Sequence, residues 1–188
     1  VWEIPDCERA LGAGDCTTIW EEHIFYFTSC SFKQLLYASG FGIVHYESVP
    51  YVLENSIIAI VQNTSSEVVI PDIDKEKIDI EVNRARNFVE TITQRRKIIR
   101  KKLEDIRRNK GSIAIFGAGH LSVAFLSLMG VADLIRFVVD DNPNKKGLLM
   151  PVGNLKIVGS EALYSEDISV CILGLNPENQ PAVMKNNI

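Results

Sequence analysis

The chain has 188 residues, of which 46% are hydrophobic and 23% charged, and its formal net charge is −4. This composition is too apolar and too balanced in charge for a disordered protein, and a chain of this length can bury a core without disulfides or metals. No apolar run approaches the roughly 18–20 residues of a membrane span, and no secretory signal is recognisable. We therefore expect a globular cytoplasmic protein that does not bind membranes.

The cysteines and the first residue add two expectations. The cysteines, at positions 7, 16, 30 and 171, form no C-x-x-C pair. This spacing argues against a zinc site or a redox dithiol and indicates reduced thiols. The chain begins at Val1, in an already apolar segment and without a methionine, so we expect it to be part of a longer protein.

The charge is unevenly distributed along the chain. Residues 1–70 carry 2 basic and 9 acidic side chains, residues 71–110 carry 13 and 8, and residues 111–188 carry 5 and 7. The hydrophobic pattern changes at the same boundaries. We therefore predict three segments with these limits: an α/β segment, a long connecting helix and a second α/β segment.

The first segment has a pattern typical of the end of an α/β sheet. Residues 1–4 predict a strand, and residues 31–39 predict a helix with Ser31 as its N-cap and a glycine after its end. Residues 41–47 and 56–62 predict two strands. The second of these is rich in isoleucine, which favours a buried position.

The second segment predicts a single long amphipathic helix. Its apolar residues recur at steps of mostly three, four or seven from Ile78 to Ile106, and Gly111 follows its end. Its second half is strongly basic, with Arg or Lys at nine positions between 95 and 110. This basic half allows a phosphate or nucleic-acid contact. We favour a solvated outer face, because no aromatic residues that could stack on bases are interleaved with the charges.

The third segment predicts a βαβ unit. Residues 112–116 form an apolar strand, Gly117-Ala118-Gly119 a turn, and residues 121–129 an apolar helix that ends at a glycine. Residues 134–139 form the next strand, and a further strand is expected over residues 170–173. A strand, a glycine turn, a helix and a strand in this order imply a parallel sheet.

The glycine turn is the first candidate site. In a dinucleotide-binding fold such glycines let the backbone approach a pyrophosphate, and an acidic residue about 20 positions on binds the ribose. Asp140 lies 21 positions after Gly119, whereas Ser122 occupies the place of the third glycine. An NAD site, a tight turn that binds no NAD and a site for another nucleotide are therefore all open. Asn176, just after the last strand, is a further binding candidate.

The second candidate site is the run Trp20-Glu21-Glu22-His23-Ile24-Phe25-Tyr26-Phe27. An imidazole accepts protons near neutral pH, so His23 is a candidate general base, and a neighbouring carboxylate could orient it or hold a substrate hydroxyl. A histidine in such a run is also often structural, and composition does not decide between the two roles. His45, in a predicted strand, is expected to be structural.

Two sets of residues resemble a known family. Glu3-Ile4-Pro5-Asp6-Cys7, Trp20-Glu21-Glu22-His23 and Phe25-Tyr26-Phe27-Thr28 resemble the second half of a SAM-dependent C-methyltransferase of the type that acts on nucleotide-linked keto-sugars. Ile115-Phe116-Gly117-Ala118-Gly119 and residues 137–143 resemble that family's own C-terminal domain. The resemblance covers nearly the whole chain, and both sets occur in the family's order with a long helix between them.

The resemblance implies an α/β fold with three parts: a partial Rossmann-like SAM domain, the long connecting helix and a second Rossmann-like domain with a parallel sheet. The family also has an N-terminal zinc-binding module and a glycine-rich loop that holds S-adenosylmethionine. Neither is recognisable in this chain, and no metal ligand is assigned within it. We therefore expect the isolated chain to bind the cofactor poorly and to be inactive.

The resemblance also implies a reaction and the residues that carry it. A base removes a proton from a carbon beside a ketone, and the enolate takes the sulfonium methyl group. Carried over from the family's Tyr-x-Glu-His motif, His23 is the base and Glu22 its polar neighbour, with Trp20 in the tyrosine's place. The implied substrate-binding residues are Trp20, Tyr26, Gly117, Gly119, His120, Asp140, Asp141 and Asn142.

Two other function classes stay open. The chain could be a nucleotide- or NAD-binding regulatory module without methyltransferase activity, built on the βαβ unit and Asp140. A nucleic-acid-binding protein that uses the basic helix is a weaker alternative. The sequence determines neither the methyl acceptor nor the oligomeric state.

Overall fold

The computed structural model describes residues 1–19, 23–51, 54–64 and 74–187. The chain divides into two compact units, Val1–Thr91 (unit 1) and Ile92–Ile188 (unit 2), and the boundary between them lies within one long helix. Unit 2 contains a parallel sheet, and helices and strands alternate along the described residues. These features confirm the expected mixed α/β, Rossmann-like class.

Unit 1 contains an antiparallel sheet with short helices. Its strands are β1 (Trp2–Asp6), β2 (Phe41–Val49) and β3 (Asn55–Asn63). Strand β3 lies between β1 and β2 and pairs antiparallel with both. The helices are α1 (Glu8–Ala13) and α2 (Ser29–Ala38), and a 3-10 turn spans Cys16–Thr18. The sequence pattern does not predict α1, because six residues that include a glycine show no clear helical period.

The core of unit 1 lies between β3 and α2. Ile57 and Ala59 are fully buried, because alternate residues of a strand point to the same face of the sheet. They form one apolar cluster with Phe32 and Leu36 of α2. These two residues are four positions apart and therefore share one face of the helix.

The N-terminus of α2 differs from the prediction. Thr28, not Ser31, is the N-cap, and its side chain accepts a hydrogen bond from the backbone N–H of Ser31. The Ser31 hydroxyl in turn accepts from the backbone N–H of Thr28 at 2.9 Å. Both residues are good caps, and this reciprocal capping box satisfies two backbone donors where a cap at Ser31 would satisfy only one.

Helix α3 (Lys75–Asn109) confirms the predicted long helix. Its 35 residues are mostly polar, and Phe88 and Leu103 are buried on it. In the described ranges no helix is both long enough and apolar enough to cross a membrane.

Unit 2 is built on parallel strands in the order β6-β5-β4-β7. The strands are β4 (Ser112–Phe116), β5 (Ile135–Val139), β6 (Ile157–Val158) and β7 (Ile168–Leu173). The helices are α4 (His120–Met129), α5 (Ala162–Ser165) and α6 (Gln180–Asn187). Four of the five residues of β4 are buried, as expected for a central strand of a parallel sheet, which is covered on both faces.

Replacing the buried Ile57 by alanine should destabilise unit 1 by about 2–5 kcal/mol, because the lost side chain leaves a cavity at a fully buried position. Ile60→Ala is the matched control on the same strand, since Ile60 is 40% exposed and its loss should cost less than about 1 kcal/mol. Urea denaturation of both variants measures the two values. Equal losses of stability would contradict the assigned core.

Candidate functional site

The loop over residues 23–28 lies between the 3-10 turn and α2 and carries the candidate base. His23 is half-buried, and its ring meets that of Tyr26 edge-on, with centroids 6.1 Å apart and planes at 70°. Trp20 and Glu22, which the resemblance places beside His23, lie outside the described residues. The structure therefore positions His23 and Tyr26 together and leaves the roles of the other two as predictions.

The end of this loop is anchored in unit 1. The backbone N–H of Cys7, just after β1, donates to the carbonyl oxygen of Phe27 at 2.9 Å. The Phe27 ring packs against Phe32 with centroids 5.3 Å apart. The hydroxyl of Thr28, a residue only 3% exposed, donates to Glu81 Oε2 at 2.9 Å. These contacts hold the loop at Phe27 and Thr28, four and five residues after His23.

Cys7 is a structural thiol. It is 1% exposed, and the Thr18 hydroxyl donates to its Sγ at 3.8 Å. Burial raises the pKa of the Cys7 thiol, and the carboxylates of Glu54 and Asp6 act in the same direction. Because the thiolate is the nucleophilic form, a buried thiol with a raised pKa is unreactive. We therefore assign no chemistry to Cys7.

Polar groups at the carboxyl end of β1 form a cluster that the sequence analysis does not single out. Asp6 is 4% exposed and accepts hydrogen bonds from the Ser48 hydroxyl at 2.9 Å and the Glu8 N–H at 3.1 Å. The Thr18 hydroxyl also lies 3.3 Å from Glu54 Oε2. Ser48 is 42 residues from Asp6 in the chain, so only the antiparallel pairing of the strands brings the two together.

His45, by contrast, lies on the exposed side of unit 1. It is in β2, and its Nε2 is 3.5 Å from Glu47 Oε2, with both side chains more than half exposed. An exposed pair of this kind contributes little to stability.

In unit 2 the strand order places the other candidate residues at one edge of the sheet. The carboxyl ends of parallel strands meet at the same edge, and ligands of such sheets bind where neighbouring strands lead in opposite directions. In the order β6-β5-β4-β7 this point lies between β4 and β7. The glycine turn follows β4, residues 140–142 follow β5, and Asn176 follows β7.

Gly117 requires the absence of a side chain. Its φ is +106°, and a Cβ would lie 2.7 Å from Leu175 Cδ2 and 2.8 Å from the carbonyl oxygen of Gly174. The chain after β7 therefore packs directly against the turn. Gly119 differs, because its φ is −129° and a Cβ there would meet nothing within 4 Å.

Ser122, in the place of the third glycine of the fingerprint, is fully buried. Its hydroxyl donates to the carbonyl oxygen of Gly117. A Cβ on Gly174 would collide with this hydroxyl, so helix α4 and the chain after β7 are in close contact here. The serine therefore keeps the close packing that a glycine would give and adds a hydrogen bond to the turn.

Asp140 is the most strongly held residue of this edge. Its Oδ2 accepts from the Ala118 N–H at 2.9 Å and from Lys145 Nζ at 3.0 Å, and its Oδ1 accepts from the Asn142 N–H at 3.0 Å. Burial opposes ionisation of this carboxyl, but these three donors outweigh it and hold the pKa of Asp140 below its usual range. Lys145 is the residue that the sequence analysis missed, because nothing in the local pattern shows that it returns to the turn.

The neighbouring candidates mainly order the loop that follows β5. Asp141 Oδ1 accepts from the Ser160 N–H at 2.8 Å, and Asn142 Oδ1 accepts from the Asn144 N–H at 3.0 Å.

His120 is the first residue of α4 and is half-buried. Asn176 Oδ1 is buried and has no hydrogen-bond partner among the described residues. Among all the residues that the structure describes, no group of three or more His, Cys, Asp or Glu side chains could hold a metal ion.

Two arginines in the basic half of α3 form hydrogen bonds within unit 2. Arg100 donates to the carbonyl oxygen of Gly130 at 2.6 Å and forms a two-pronged pair with Asp133, at 3.0 and 2.7 Å. Arg107 donates to the carbonyl oxygen of Asp133 at 2.7 Å. The Arg100 guanidinium lowers the pKa of Asp133. These arginines therefore satisfy carbonyl groups near the end of α4, which is a structural role that neither sequence interpretation of the basic half includes.

Comparison with known proteins identifies one family. A family model described as a C-methyltransferase C-terminal domain matches residues 58–187, which is more than half of the chain. The match begins in β3 and includes α3 and the elements of unit 2, whereas the loop that carries His23 lies before it. A search of curated proteins finds no match.

Gly117→Ala should destabilise unit 2 by about 1–3 kcal/mol, because the new methyl group meets Leu175 and the positive φ disfavours an L-residue. Gly119→Ala is the matched control in the same turn and should cost less than about 1 kcal/mol. Chemical denaturation followed by circular dichroism compares the two. A similar cost for both variants would contradict the close packing described for Gly117.

Protonation of Asp140 at low pH should lower the stability of unit 2. Above the ordinary aspartate pKa of about 3.9 the carboxylate is ionised in the folded and unfolded chains, and its stabilising contribution is complete. As the pH falls through the lower pKa of the folded state, this contribution is lost. The free energy of unfolding should therefore fall more steeply below about pH 4 in the wild type than in Asp140→Asn. Identical pH profiles would refute this role of the carboxylate.

Proposed function

Because this chain belongs to the C-methyltransferase C-terminal domain family, we propose that it takes part in methylating a carbon beside a ketone, on a nucleotide-linked sugar, with S-adenosylmethionine as the methyl donor. C-methyltransferase activity is the general function of the family, and the family match is the observation that carries the proposal. The acceptor, the donor and the catalytic residues rest on the resemblance of the motifs.

We assign the general base to His23. A carbon beside a ketone has an acidified C–H bond, and a base within hydrogen-bond reach can remove the proton to give an enolate. His23 is half-buried beside Tyr26, on a loop whose end is anchored at Phe27 and Thr28. Partial burial with a fixed neighbour suits a base, because the imidazole then has a defined position and still has access to a substrate. Glu22 is proposed as its polar partner, and Trp20 and Tyr26 as acceptor contacts.

S-adenosylmethionine supplies an electrophilic methyl group when it is bound. In the described part of unit 1, no glycine turn joins a strand to a helix in the way that holds a nucleotide cofactor. Strand β1 passes into α1 through Cys7, and the Asp6 carboxylate is already engaged by Ser48 and Glu8. We therefore assign no residue of this chain to the cofactor and derive no step of the reaction through it.

The nucleotide part of the substrate is proposed to bind at the carboxyl edge of the sheet in unit 2. This edge is the usual ligand position of a parallel α/β sheet. The space in front of Gly119 is open, and the N-terminus of α4 has no side-chain cap. The residues proposed for this contact are Gly117, Gly119, His120, Asp141 and Asn142, and Asp140 holds the turn in place through the Ala118 N–H.

His23→Ala in the methyltransferase that carries this chain should lower turnover by at least about 10²-fold, the lower range for loss of a general base. The measurement is transfer of a labelled methyl group from S-adenosylmethionine to a nucleoside-diphosphate keto-sugar. His45→Ala is the matched control, because His45 is an exposed histidine of the same unit and pairs only weakly with Glu47.

The result is informative only if both variants are folded, which circular dichroism and thermal unfolding establish. Near-normal turnover of His23→Ala would exclude His23 as the base without affecting the family assignment. Absence of methyl transfer by the wild type to every keto-sugar tested would instead exclude the proposed acceptor class.

A further inference from the structure

Asp140 stands where a dinucleotide-binding fold has its ribose-binding acid. It follows β5, the second strand of the βαβ unit, 21 positions after Gly119. In folds that bind NAD, the carboxylate at this place accepts hydrogen bonds from the ribose hydroxyls. The position alone would therefore support an NAD site.

The hydrogen bonds of Asp140 lead to a different conclusion. A carboxylate oxygen offers about two lone-pair positions. Oδ2 uses both, for the Ala118 N–H at 2.9 Å and Lys145 Nζ at 3.0 Å, while Oδ1 accepts from the Asn142 N–H at 3.0 Å. The side chain is only 15% exposed. One position of Oδ1 is left, so two ribose hydroxyls could not both donate to this carboxylate unless one of them displaced a donor that the fold itself supplies.

Lys145 holds the same residue, Ala118, through its carbonyl group. Its Nζ donates to the carbonyl oxygen of Ala118 at 2.9 Å as well as to Asp140. Ala118 thus gives its N–H to the carboxylate and its carbonyl oxygen to the ammonium group. The backbone N–H of Lys145 donates to the carbonyl oxygen of Asn142 at 3.0 Å, which folds the loop after β5 back toward the turn.

We propose that Lys145 is a positioning residue that locks the glycine turn through Ala118 and Asp140, and that this lock withdraws Asp140 from ribose recognition. The carboxyl edge of unit 2 is then not an NAD site. A nucleoside-diphosphate compound that binds there is held without the ribose–carboxylate contact. This second part rests on the proposed function, whereas the lock itself does not.

The lock is tested by hydrogen exchange of the Ala118 amide in the full 188-residue chain, measured by NMR. Lys145→Met should speed exchange at Ala118 by about tenfold or more, because the carboxylate that protects this amide loses its fixed position. Lys146→Met is the matched control, since Lys146 is adjacent and equally exposed, at 38%, but pairs with Asp141 and Glu161 instead. Equal exchange at Ala118 in the two variants would overturn the lock.

A second variant keeps this test decisive if Lys145→Met does not fold. Asp140→Asn retains an acceptor for the Ala118 N–H but removes the charge that holds Lys145. Exchange at Ala118 should then also rise, with the amides of β4 unchanged. If Ala118 is protected in this variant as in the wild type, the proposal is wrong.

The ligand class is tested separately by calorimetry on the same wild-type chain with NAD⁺ and with UDP-glucose, each up to about 1 mM. We expect no NAD⁺ binding. NAD⁺ binding that Asp140→Asn abolishes would overturn the withdrawal of Asp140 from ribose recognition. If UDP-glucose does not bind while Ala118 exchange responds to Lys145→Met, the lock stands and the nucleotide part of the proposed function fails.

Discussion

The Asp140 carboxylate joins the two loops that follow β4 and β5, and the geometry of unit 2 at this edge depends on it. It holds the turn through the Ala118 N–H and the next loop through the Asn142 N–H, while Lys145 neutralises it. A carboxylate removed from water needs such donors, because an unpaired charge of low exposure is costly. Gly117, which precedes Ala118 in this turn, has a φ of +106° and packs close to Leu175.

In unit 1, neutral and charged contacts together hold the loop that carries the proposed base. Its loop over residues 23–28 is neither helix nor strand, and Cys7, Phe32 and Glu81 hold its last residues. Glu81 is itself paired with Arg84 at 3.0 Å, and Arg84 also reaches Glu8 at 2.9 Å. A base on an irregular loop can act only when the loop is fixed, so this network supports the role proposed for His23.

Several parts of this organisation could be predicted because they depend on local pattern. The alternation of β3, the period of α3 and the strand–glycine–helix order of unit 2 are short-range features, and the structure contains each of them. Predictions failed where two local solutions compete, as with Thr28 and Ser31, both of which can cap α2. The local pattern of α3 does not show the structural role of its basic half, because the carbonyl partners at Gly130 and Asp133 lie 26 to 30 residues away.

By itself, the sequence determined the mixed α/β class, the long helix, the glycine turn and the motifs that resemble C-methyltransferases, since each is a pattern of adjacent residues. Only the tertiary structure decided what the candidate residues do at the sheet edge. Asp140 is spaced as a ribose-binding acid, but its carboxylate is engaged by Lys145 of the following loop and by the Ala118 N–H. Ala118 lies 22 residues away and meets Asp140 only after the parallel strands have formed. Spacing shows where a carboxylate lies along the chain, whereas its free lone pairs depend on which donors the fold brings to it.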